Sequence, residues 1–289
     1  MQRDLCIGSE WLYYKIYTGV KTSDVILIEK LEPVISKLKK KNIIQKWFFI
    51  RYNDGDSHIR IRFLIQNPNK LSKAIQILYP VLNKLLLKNL IWKIQIDTYQ
   101  RELERYGEST INDSESLFWN DSEMVLKYLS VKAFFSNPQT QLLFSFVAID
   151  SLLNSFGLSN LAKLTLMDEL QLAFKKEFDI DKTFKKELDK HYRELSPAIN
   201  KCFDCPENLE FSEIIKKKEN QIEETVLSIK NKIQITLATF LKSHIHMMIN
   251  RQYTSKQRVY ELIIYDHLYR FYKTLNYKQL QIQDKTNQI

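Results

Sequence analysis

The chain has 289 residues, of which 44% are hydrophobic and 12% aromatic, enough to bury a substantial core as one large domain or as two lobes. Lys and Arg outnumber Asp and Glu by 43 to 34, a formal charge of +9 that favours anionic partners without identifying one. Three cysteines are too few for a disulfide framework, and no apolar run has the length of a signal peptide or a membrane span. These features exclude a disulfide-stapled secreted domain and a membrane-spanning chain, and we expect a cytoplasmic protein.

The N-terminal part mixes strands and helices. The stretch WLYYKIYTG predicts a strand over 11–19, and apolar residues at helical spacing predict a helix over 24–40. KWFFIRY and HIRIRF are strand-like runs separated by NDGDS, a composition typical of a hairpin turn. A helix over 71–87 and a strand over 90–99 follow.

Helical patterns dominate the rest of the chain, and only five glycines occur in all 289 residues. Helices are predicted over 113–130, 139–155, 159–178, 183–195, 211–233, 235–250 and 255–275. The predicted class is α+β, with a small mixed or antiparallel sheet packed with a predominantly helical lobe. No linker or repeat divides the chain, so we expect one domain over 1–289, with a sheet-containing part (1–110) and a helical part (111–289).

The segment DSHIRIRF concentrates positive charge on one side of a strand. Alternate side chains of a strand point to opposite faces, so the apolar residues enter a core while His58, Arg60 and Arg62 share the other face. We expect Arg51, in FFIRY on the paired strand, to converge with Arg60 and Arg62. Like charges opposed across strands are destabilising and need carboxylates or a bound anion. The pattern fits a solvated edge with ion pairs and an anion site equally well.

Two further polar motifs are ambiguous when taken singly. In DTYQRELERYG, Glu102 and Arg105 would be neighbours on a helical turn that Gly107 ends, and a surface ion pair is the simpler explanation. In LKSHIHMMINRQY, His246 lies in a mostly apolar helix end, where a histidine is more often a core residue than a base.

Several familiar chemistries have no support in the sequence. It contains neither a dinucleotide-binding or P-loop glycine motif nor a G-x-S-x-G or H-E-x-x-H signature. His244 and His246 are two residues apart, on different faces of a helix, and are therefore a poor chelating pair. Cys202 and Cys205 form a single C-x-x-C, for which incidental thiols are a simpler interpretation than a zinc or redox site.

Taken together and in order, these motifs resemble one family. WLYYKIY, ILIEKLEPVISKL, KWFFIRYNDGDSHIRIRF, DTYQRELERYG, SESLFWNDSEMVL and HMMINR are similar to the C-terminal domain of lantibiotic dehydratases, also called the thiopeptide-type bacteriocin biosynthesis domain. The resemblance covers nearly the whole chain. It implies a lyase of lanthipeptide biosynthesis that eliminates glutamate from glutamylated serine or threonine, leaving dehydroalanine or dehydrobutyrine. The family's large glutamylating domain is absent from these 289 residues.

The resemblance also implies roles for particular residues. The family's functional positions fall on its H-x-R-x-R-F, E-x-x-R-Y-G and H-M-x-x-N-R motifs, filled here by Arg60, Arg62, Glu102, Arg105 and His246. Arg60 and Arg62 are expected to grip the glutamyl group because arginine binds carboxylates bidentately. Arg105 would complete the anion site and Glu102 would orient an arginine. His246 would transfer a proton, as a base or as an acid.

Further expectations concern the substrate and the partners. Arg51, His58 and Arg251 are expected to contribute to substrate binding, and no cofactor or metal is expected. Expected partners are a ribosomal precursor peptide with its leader, a separate glutamyl-tRNA-dependent glutamylation protein and a lanthipeptide cyclase, without direct nucleic-acid contact. Two departures from the family pattern, Gly55 in the turn and Glu108 after RYG, lie beside the arginine motifs and are expected to affect the mouth of the site or the peptide accepted more than the reaction.

Two alternatives remain open at this point. One is a thiopeptide pyridine synthase, which joins two dehydroalanines in a formal [4+2] cycloaddition; the retained arginines and His246 argue against it. The other is a non-catalytic subunit that binds a leader peptide or a partner protein through its basic helices, such as the run over 214–232. A solvated helix face is the simpler interpretation of that run.

Overall fold

The computed structural model describes residues 1–135, 137 and 139–286, with side chains as far as residue 281. It combines small antiparallel sheets with many helices, so the predicted α+β class is confirmed. Among the described residues, no helix is long and apolar enough to cross a membrane.

Two compact units make up the chain. The first consists of Met1–Ala133 with Glu224–Ser255, and the second of Phe134–Glu223 with Lys256–Ile289. This division does not fall at residue 110, because part of the helical region belongs with the sheet. The expectation of a single domain over the whole chain stays a prediction.

The six strands found in the described part of the chain lie in the first unit and form two sheets. They are β1 (Asp4–Leu5), β2 (Trp11–Tyr17), β3 (Ile44–Asn53), β4 (Ser57–Ile65), β5 (Lys93–Ile96) and β6 (Tyr99–Gln100). The larger sheet is antiparallel with the order β3-β4-β2-β5, and β1 pairs with β6. The predicted hairpin is confirmed as β3 and β4, whose turn contains Gly55 at φ +100°, a conformation that favours glycine. The single strand predicted over 90–99 is wrong, because β5 and β6 belong to different sheets.

The helices follow the predicted order. They are α1 (Val20–Val25), which continues through a π-helical turn (Ile26–Leu31) into α2 (Glu32–Lys40), then α3 (Leu71–Leu87), α4 (Leu103–Tyr106), α5 (Ile111–Val131), α6 (Thr140–Ser155), α7 (Asn160–Glu177), α8 (Lys182–Asp204), α9 (Ser212–Lys232), α10 (Leu237–Gln252) and α11 (Gln257–Thr286). All the predicted helices are confirmed in kind. The largest errors are at two C-terminal ends, since α8 continues past Pro197 to Asp204 and α11 continues to Thr286.

The two faces of the larger sheet differ in character. One face is built from buried apolar residues, namely Leu12, Tyr14 and Ile16 of β2 and Ile59, Ile61 and Phe63 of β4. On the other face the antiparallel register places Tyr13 opposite Arg62 and Lys15 opposite Arg60. This second face is the floor of the candidate site.

Helices α5 and α10 attach to the outer edge of β3 through side chains. The Asn250 amide accepts a hydrogen bond from the Arg51 N–H and donates one to the Arg51 carbonyl, both at 2.9 Å. The Phe49 N–H donates to the Ser122 hydroxyl of α5 at 3.2 Å. Backbone groups of an edge strand that would otherwise lack partners are therefore satisfied, and α10 is fixed in register with the sheet.

The described residues of the second unit form helices and no strands, and they include a buried carboxylate, Asp266. Asp266 accepts hydrogen bonds from Lys175 at 2.5 Å and from Arg270 at 2.6 Å, and lies 3.2 Å from Nδ1 of His267. The other ring nitrogen of His267 lies 2.8 Å from His191. Burial alone would raise the pKa of Asp266, but the hydrogen bonds from these three partners outweigh it and hold the pKa well below its usual value.

Candidate active site

A cavity of about 670 Å³ opens above the polar face of the sheet in the first unit. Strands β2, β3 and β4 form its floor, and the β6–α4 segment, α5 and α10 contribute its walls. All five residues expected to act in the reaction line this one cavity, namely Arg60, Arg62, Glu102, Arg105 and His246. They come from three distant parts of the chain, so the fold rather than the sequence brings them together.

Arg60 is held against its own strand and the hairpin turn. Its Nε donates to Nε2 of His58 at 3.0 Å, and its Nη2 lies 3.3 Å from a carboxylate oxygen of Asp54. The guanidinium carbon also lies 3.4 Å from the centre of the Tyr52 ring. These contacts orient Arg60 while part of its guanidinium remains at the cavity surface.

His58 supports Arg60 through a hydrogen bond and does not line the cavity. Its Nδ1 lies 2.9 Å from the carbonyl oxygen of Asp56, while its Nε2 accepts from Arg60. The proton of the neutral ring is therefore on Nδ1. Burial lowers the pKa of His58, which favours this neutral form. The position suits the support of Arg60, and direct substrate binding by His58 stays a prediction.

Arg62 is buried without a counter-ion among the described residues. No carboxylate pairs with it and its fully buried Nε has no hydrogen-bond partner within residues 1–135, 137 and 139–281. Its guanidinium carbon lies 4.3 Å from the ring centre of Tyr13, 4.7 Å from that of Tyr99 and 5.3 Å from that of Phe48. Burial lowers the pKa of Arg62, but arginine starts so high that the group stays charged. A buried cation with free donors is costly unless an anion binds it.

Arg251 is the second buried guanidinium at the cavity. Its Nε donates to Ser122 at 3.2 Å and its Nη1 to the Met247 carbonyl at 2.9 Å, and Nη1 lies 3.9 Å from Asp121. Its buried Nη2 has no hydrogen-bond partner in the described part of the chain. Arg251 thus lines the cavity with one unpaired nitrogen, and its expected role in substrate binding stays a prediction.

The expected convergence of Arg51 with Arg60 and Arg62 is wrong. Arg51 lies opposite Ile59 in the β3–β4 register, so its side chain projects from the face opposite to that of Arg60. It is bound there by Asp24 at 2.6 Å, Ser23 at 2.7 Å and the Arg251 carbonyl at 2.9 Å. Arg51 does not line the cavity and acts as a link between structural elements.

The rim of the cavity carries Glu102 and Arg105. The nearest side-chain atoms of this pair are 3.7 Å apart, and both side chains are more than half exposed. Gly107 ends the short helix α4 at φ +77°, as expected, and a Cβ there would lie 2.7 Å from Thr110. The backbone turn is thus fixed, whereas the charged pair above it is free to rearrange around a ligand.

His246 lies on α10 and is half-buried at the cavity wall. It is one helical turn before Asn250, whose amide is bound to the backbone of β3. The distance between His246 and the sheet is therefore set by a pair of hydrogen bonds rather than by apolar packing alone.

Other residues at the cavity were not among the expected site residues. Lys15 and Asp97 form an ion pair at 2.5 Å on the cavity surface. Their hydrogen bond raises the pKa of Lys15 and lowers that of Asp97. The alternation in WLYYKIY could have identified Lys15 as a cavity residue, because pairing this strand with HIRIRF can place Lys15 and Arg60 on the same face of the sheet. Asp97 follows β5 and gave no such signal.

Behind Tyr99, a buried ion pair holds the ring in place. Arg101 donates to Glu115 through Nε at 2.7 Å and through Nη2 at 3.0 Å, and Tyr99 is hydrogen-bonded to the same carboxylate. Burial raises the pKa of Tyr99 well above its usual value and, despite Arg101, also raises that of Glu115. The phenol therefore stays protonated and serves as a fixed ring wall.

Known proteins share the sequence pattern and the fold of this chain. Residues 11–272 match the family described as "Lantibiotic biosynthesis dehydratase C-term", and the chain belongs to this family. The subtilin biosynthesis protein SpaB of Bacillus subtilis is 26% identical over 180 residues, which are 60% of this chain and 17% of that protein. The nisin biosynthesis protein NisB of Lactococcus lactis subsp. lactis is 28% identical over 158 residues, 47% of this chain and 15% of that protein. The chain thus spans about a sixth of these relatives.

Solved structures share the fold at low sequence identity. The tRNA-dependent lantibiotic dehydratase MibB from Microbispora sp. 107891 matches with a TM-score of 0.73 at 16% identity, over 94% of this chain and 29% of MibB. The pyridine synthase TbtD from thiomuracin biosynthesis matches with a TM-score of 0.60 at 11% identity, over 92% of this chain and 100% of TbtD. At these identities the likeness concerns the fold alone.

Proposed function

We propose that this chain eliminates glutamate from glutamylated serine and threonine residues of a precursor peptide, leaving dehydroalanine or dehydrobutyrine. The observation that carries the proposal is Arg62, a buried guanidinium without a carboxylate partner in the described chain, in a cavity that Arg60 and Arg251 also line. Membership of the lantibiotic dehydratase C-terminal family supports this reaction class. The anion that these arginines bind is, in this proposal, the carboxylate leaving group.

The elimination makes two demands on the site. The Cα–H bond breaks and its electrons form the Cα=Cβ bond, while the Cβ–O bond breaks and glutamate departs with that electron pair as a carboxylate. Negative charge develops first near the backbone carbonyl and then on the leaving group. Arginines fixed before the reaction stabilise such charge without reorganising, which is the largest contribution in many enzymes. Arg60 and Arg62 supply this stabilisation, and Arg105 at the rim adds to it, oriented by Glu102.

His246 takes the proton from Cα. A carboxylic acid has a pKa near 4, so the departing glutamate needs no proton at neutral pH and the step that requires help is the removal of the α-proton. Imidazole titrates near neutrality and therefore suits this role. His246 lies at the wall of the same cavity, on the helix that Asn250 fixes to β3.

The reaction requires partners that supply its substrate and consume its product. A ribosomal precursor peptide with its leader is the substrate, and a glutamylation enzyme, dependent on glutamyl-tRNA, must first form the ester. Dehydroalanine and dehydrobutyrine accept thiols, so a lanthipeptide cyclase is the enzyme that consumes them. The chain itself needs no direct contact with tRNA for elimination.

Mass spectrometry on a peptide with a synthetic glutamyl-serine ester tests the proposal. The wild type should release glutamate and leave dehydroalanine, whereas Arg62→Ala and His246→Ala should leave the ester intact. Arg193→Ala is the matched control, because Arg193 is exposed on α8 and outside the cavity. An ester that survives the wild type, even with a matched leader present, contradicts elimination.

A second candidate function is the pyridine synthase reaction, which the match to the whole TbtD chain favours. In that case a peptide with two dehydroalanines would be converted into a macrocycle, while the glutamyl ester would persist. If neither peptide reacts but the leader binds, the chain is a non-catalytic binding subunit. The cavity arginines favour elimination, because a cycloaddition expels no carboxylate.

A further inference from the structure

We propose that Tyr13, Phe48 and Tyr99 form an aromatic cage that holds the Arg62 guanidinium in place of a counter-ion, so that its N–H donors remain available to a substrate carboxylate. The three ring centres lie 4.3, 5.3 and 4.7 Å from the guanidinium carbon. The identity of that carboxylate as the glutamyl group rests on the proposed function. The cage itself rests on the contacts alone.

Two other buried arginines of the same unit show what is unusual about Arg62. Arg101 is bound by both oxygens of Glu115, at 2.7 and 3.0 Å. Arg51 is bound by Asp24, Ser23 and a backbone carbonyl, all within 2.9 Å. Both have their donors engaged by protein groups and so cannot bind a ligand without losing those partners.

Aromatic rings can stabilise the charge of Arg62 without occupying its N–H donors, whereas a carboxylate cannot. A carboxylate beside Arg62 would compensate its charge but would occupy the same N–H donors that a ligand carboxylate needs. The negative face of an aromatic ring attracts the cation without accepting those hydrogen bonds. This arrangement leaves the buried Nε of Arg62 without a hydrogen-bond partner among the described residues.

The cage is built by strand register. Tyr13 of β2 and Phe48 of β3 are the direct cross-strand neighbours of Arg62 on either side. A shift of one residue in either pairing would turn these rings to the opposite face. Tyr99 adds the third ring from β6, and its hydroxyl is hydrogen-bonded to Glu115 rather than to Arg62. The residues act on the substrate through Arg62 and are therefore positioning residues.

Matched substitutions at Tyr13 separate the contribution of the ring face to ligand binding from that of the hydroxyl. Tyr13→Phe keeps the face, and Tyr13→Leu removes it while keeping an apolar side chain. Binding of glutarate, a dicarboxylate probe, is measured by isothermal titration calorimetry, with the neutral isostere glutaramide as a control ligand. We expect Tyr13→Phe to bind glutarate as the wild type does and Tyr13→Leu to bind about tenfold more weakly, since a desolvated cation–π contact is of this size. Arg62→Ala should lose glutarate binding.

A second measurement separates positioning from a merely structural role. The ¹⁵N NMR signal of the Arg62 Nε–H, assigned by its absence in Arg62→Lys, should shift when glutarate is added to the wild type and to Tyr13→Phe. In Tyr13→Leu the signal should start at a different frequency, because the ring current is removed, and should shift only at higher glutarate concentrations. Any weak binding of glutaramide should be equal in all variants that retain Arg62, because the neutral ligand does not use the charge.

The proposal is overturned if the wild type does not bind glutarate, if Tyr13→Leu binds it as tightly as the wild type, or if Tyr13→Phe loses as much affinity as Tyr13→Leu. None of these results depends on ester elimination. A wild type that binds glutarate through the caged arginine but leaves a glutamyl ester intact would overturn the proposed function while the cage stands. If Tyr13→Leu eliminates glutamate as fast as the wild type, the cage is overturned while the proposed function stands.

Discussion

Two buried clusters of charge, one in each compact unit, show opposite solutions to the same physical problem. In the second unit Asp266 is surrounded by Lys175, Arg270 and His267, all within 3.2 Å. In the first unit Arg62 is also buried but is bordered by rings, and its Nε has no hydrogen-bond partner among the described residues.

The difference between the clusters separates structure from function. A buried charge whose partners are complete stabilises the fold only as long as those partners remain. A buried charge whose partners are incomplete imposes a free-energy cost on the empty protein, and that cost is recovered when a ligand of opposite charge binds. The cluster around Asp266 therefore belongs to the architecture, and the surroundings of Arg62 belong to a site.

The largest expected effect is the loss of elimination in Arg62→Ala. Removing one fixed donor to a developing negative charge typically lowers the rate by about 10²- to 10³-fold. Initial rates of glutamate release measure this, and Arg62→Lys should recover only a part because lysine lacks the planar fork. A wild-type rate in Arg62→Ala would remove the contrast between the two clusters.

The next largest effect is on stability in the second unit. Asp266→Asn should lower the free energy of unfolding by about 3 kcal/mol, because it leaves Lys175 and Arg270 without their buried carboxylate. Urea denaturation measures the change. Asp189→Asn is the matched control: its carboxylate also binds Arg270, at 2.6 Å, but is about half exposed, so less than about 1 kcal/mol should be lost. Equal losses in both variants would contradict the role of burial.

The same carboxylate predicts a dependence on pH. The pKa of Asp266 is held below its unfolded value of about 4. A lowered folded pKa means that the stabilisation is complete above about pH 4 and is lost as the pH falls further. The stability difference between wild type and Asp266→Asn should therefore be constant from pH 7 to about 5 and shrink towards pH 3. A difference that grows on acidification would show the sign to be wrong.

The smallest expected effect concerns the exposed pair at the rim. Glu102→Gln should change the free energy of unfolding by less than about 0.5 kcal/mol, because both partners are more than half exposed. A measurable loss of elimination with unchanged stability would indicate that Glu102 orients an arginine during the reaction. Thermal unfolding and glutamate release on one preparation separate the two, and an unchanged elimination rate would contradict that role.

Local patterns predicted much of this fold. The alternation in HIRIRF identified the polar face of β4, and the composition of NDGDS identified the hairpin. Family resemblance, rather than any local pattern, indicated that Arg62, Glu102 and His246 belong to one site, and they do line one cavity.

What the sequence did not reveal depends on distances along the chain. Asn53 lies opposite Ser57, so the connection between β3 and β4 has three residues and puts Arg51 opposite Ile59. A connection one residue shorter would have moved Arg51 to the face of Arg60, and composition alone does not decide between the two lengths. The third ring of the cage was equally hidden, because Tyr99 lies on β6, which pairs with β1 rather than with the strand of Arg62.

The hydrogen bonds between Asn250 and β3 also affect the tendency of the protein to aggregate. An exposed edge strand is a template on which another chain can add, and this is a common start of aggregation. By matching both the N–H and the carbonyl of Arg51, Asn250 occupies the position that an incoming strand would need, and Ser122 occupies the one beside Phe49. The contact that fixes His246 above the sheet thus also shields this edge of β3 from intermolecular pairing.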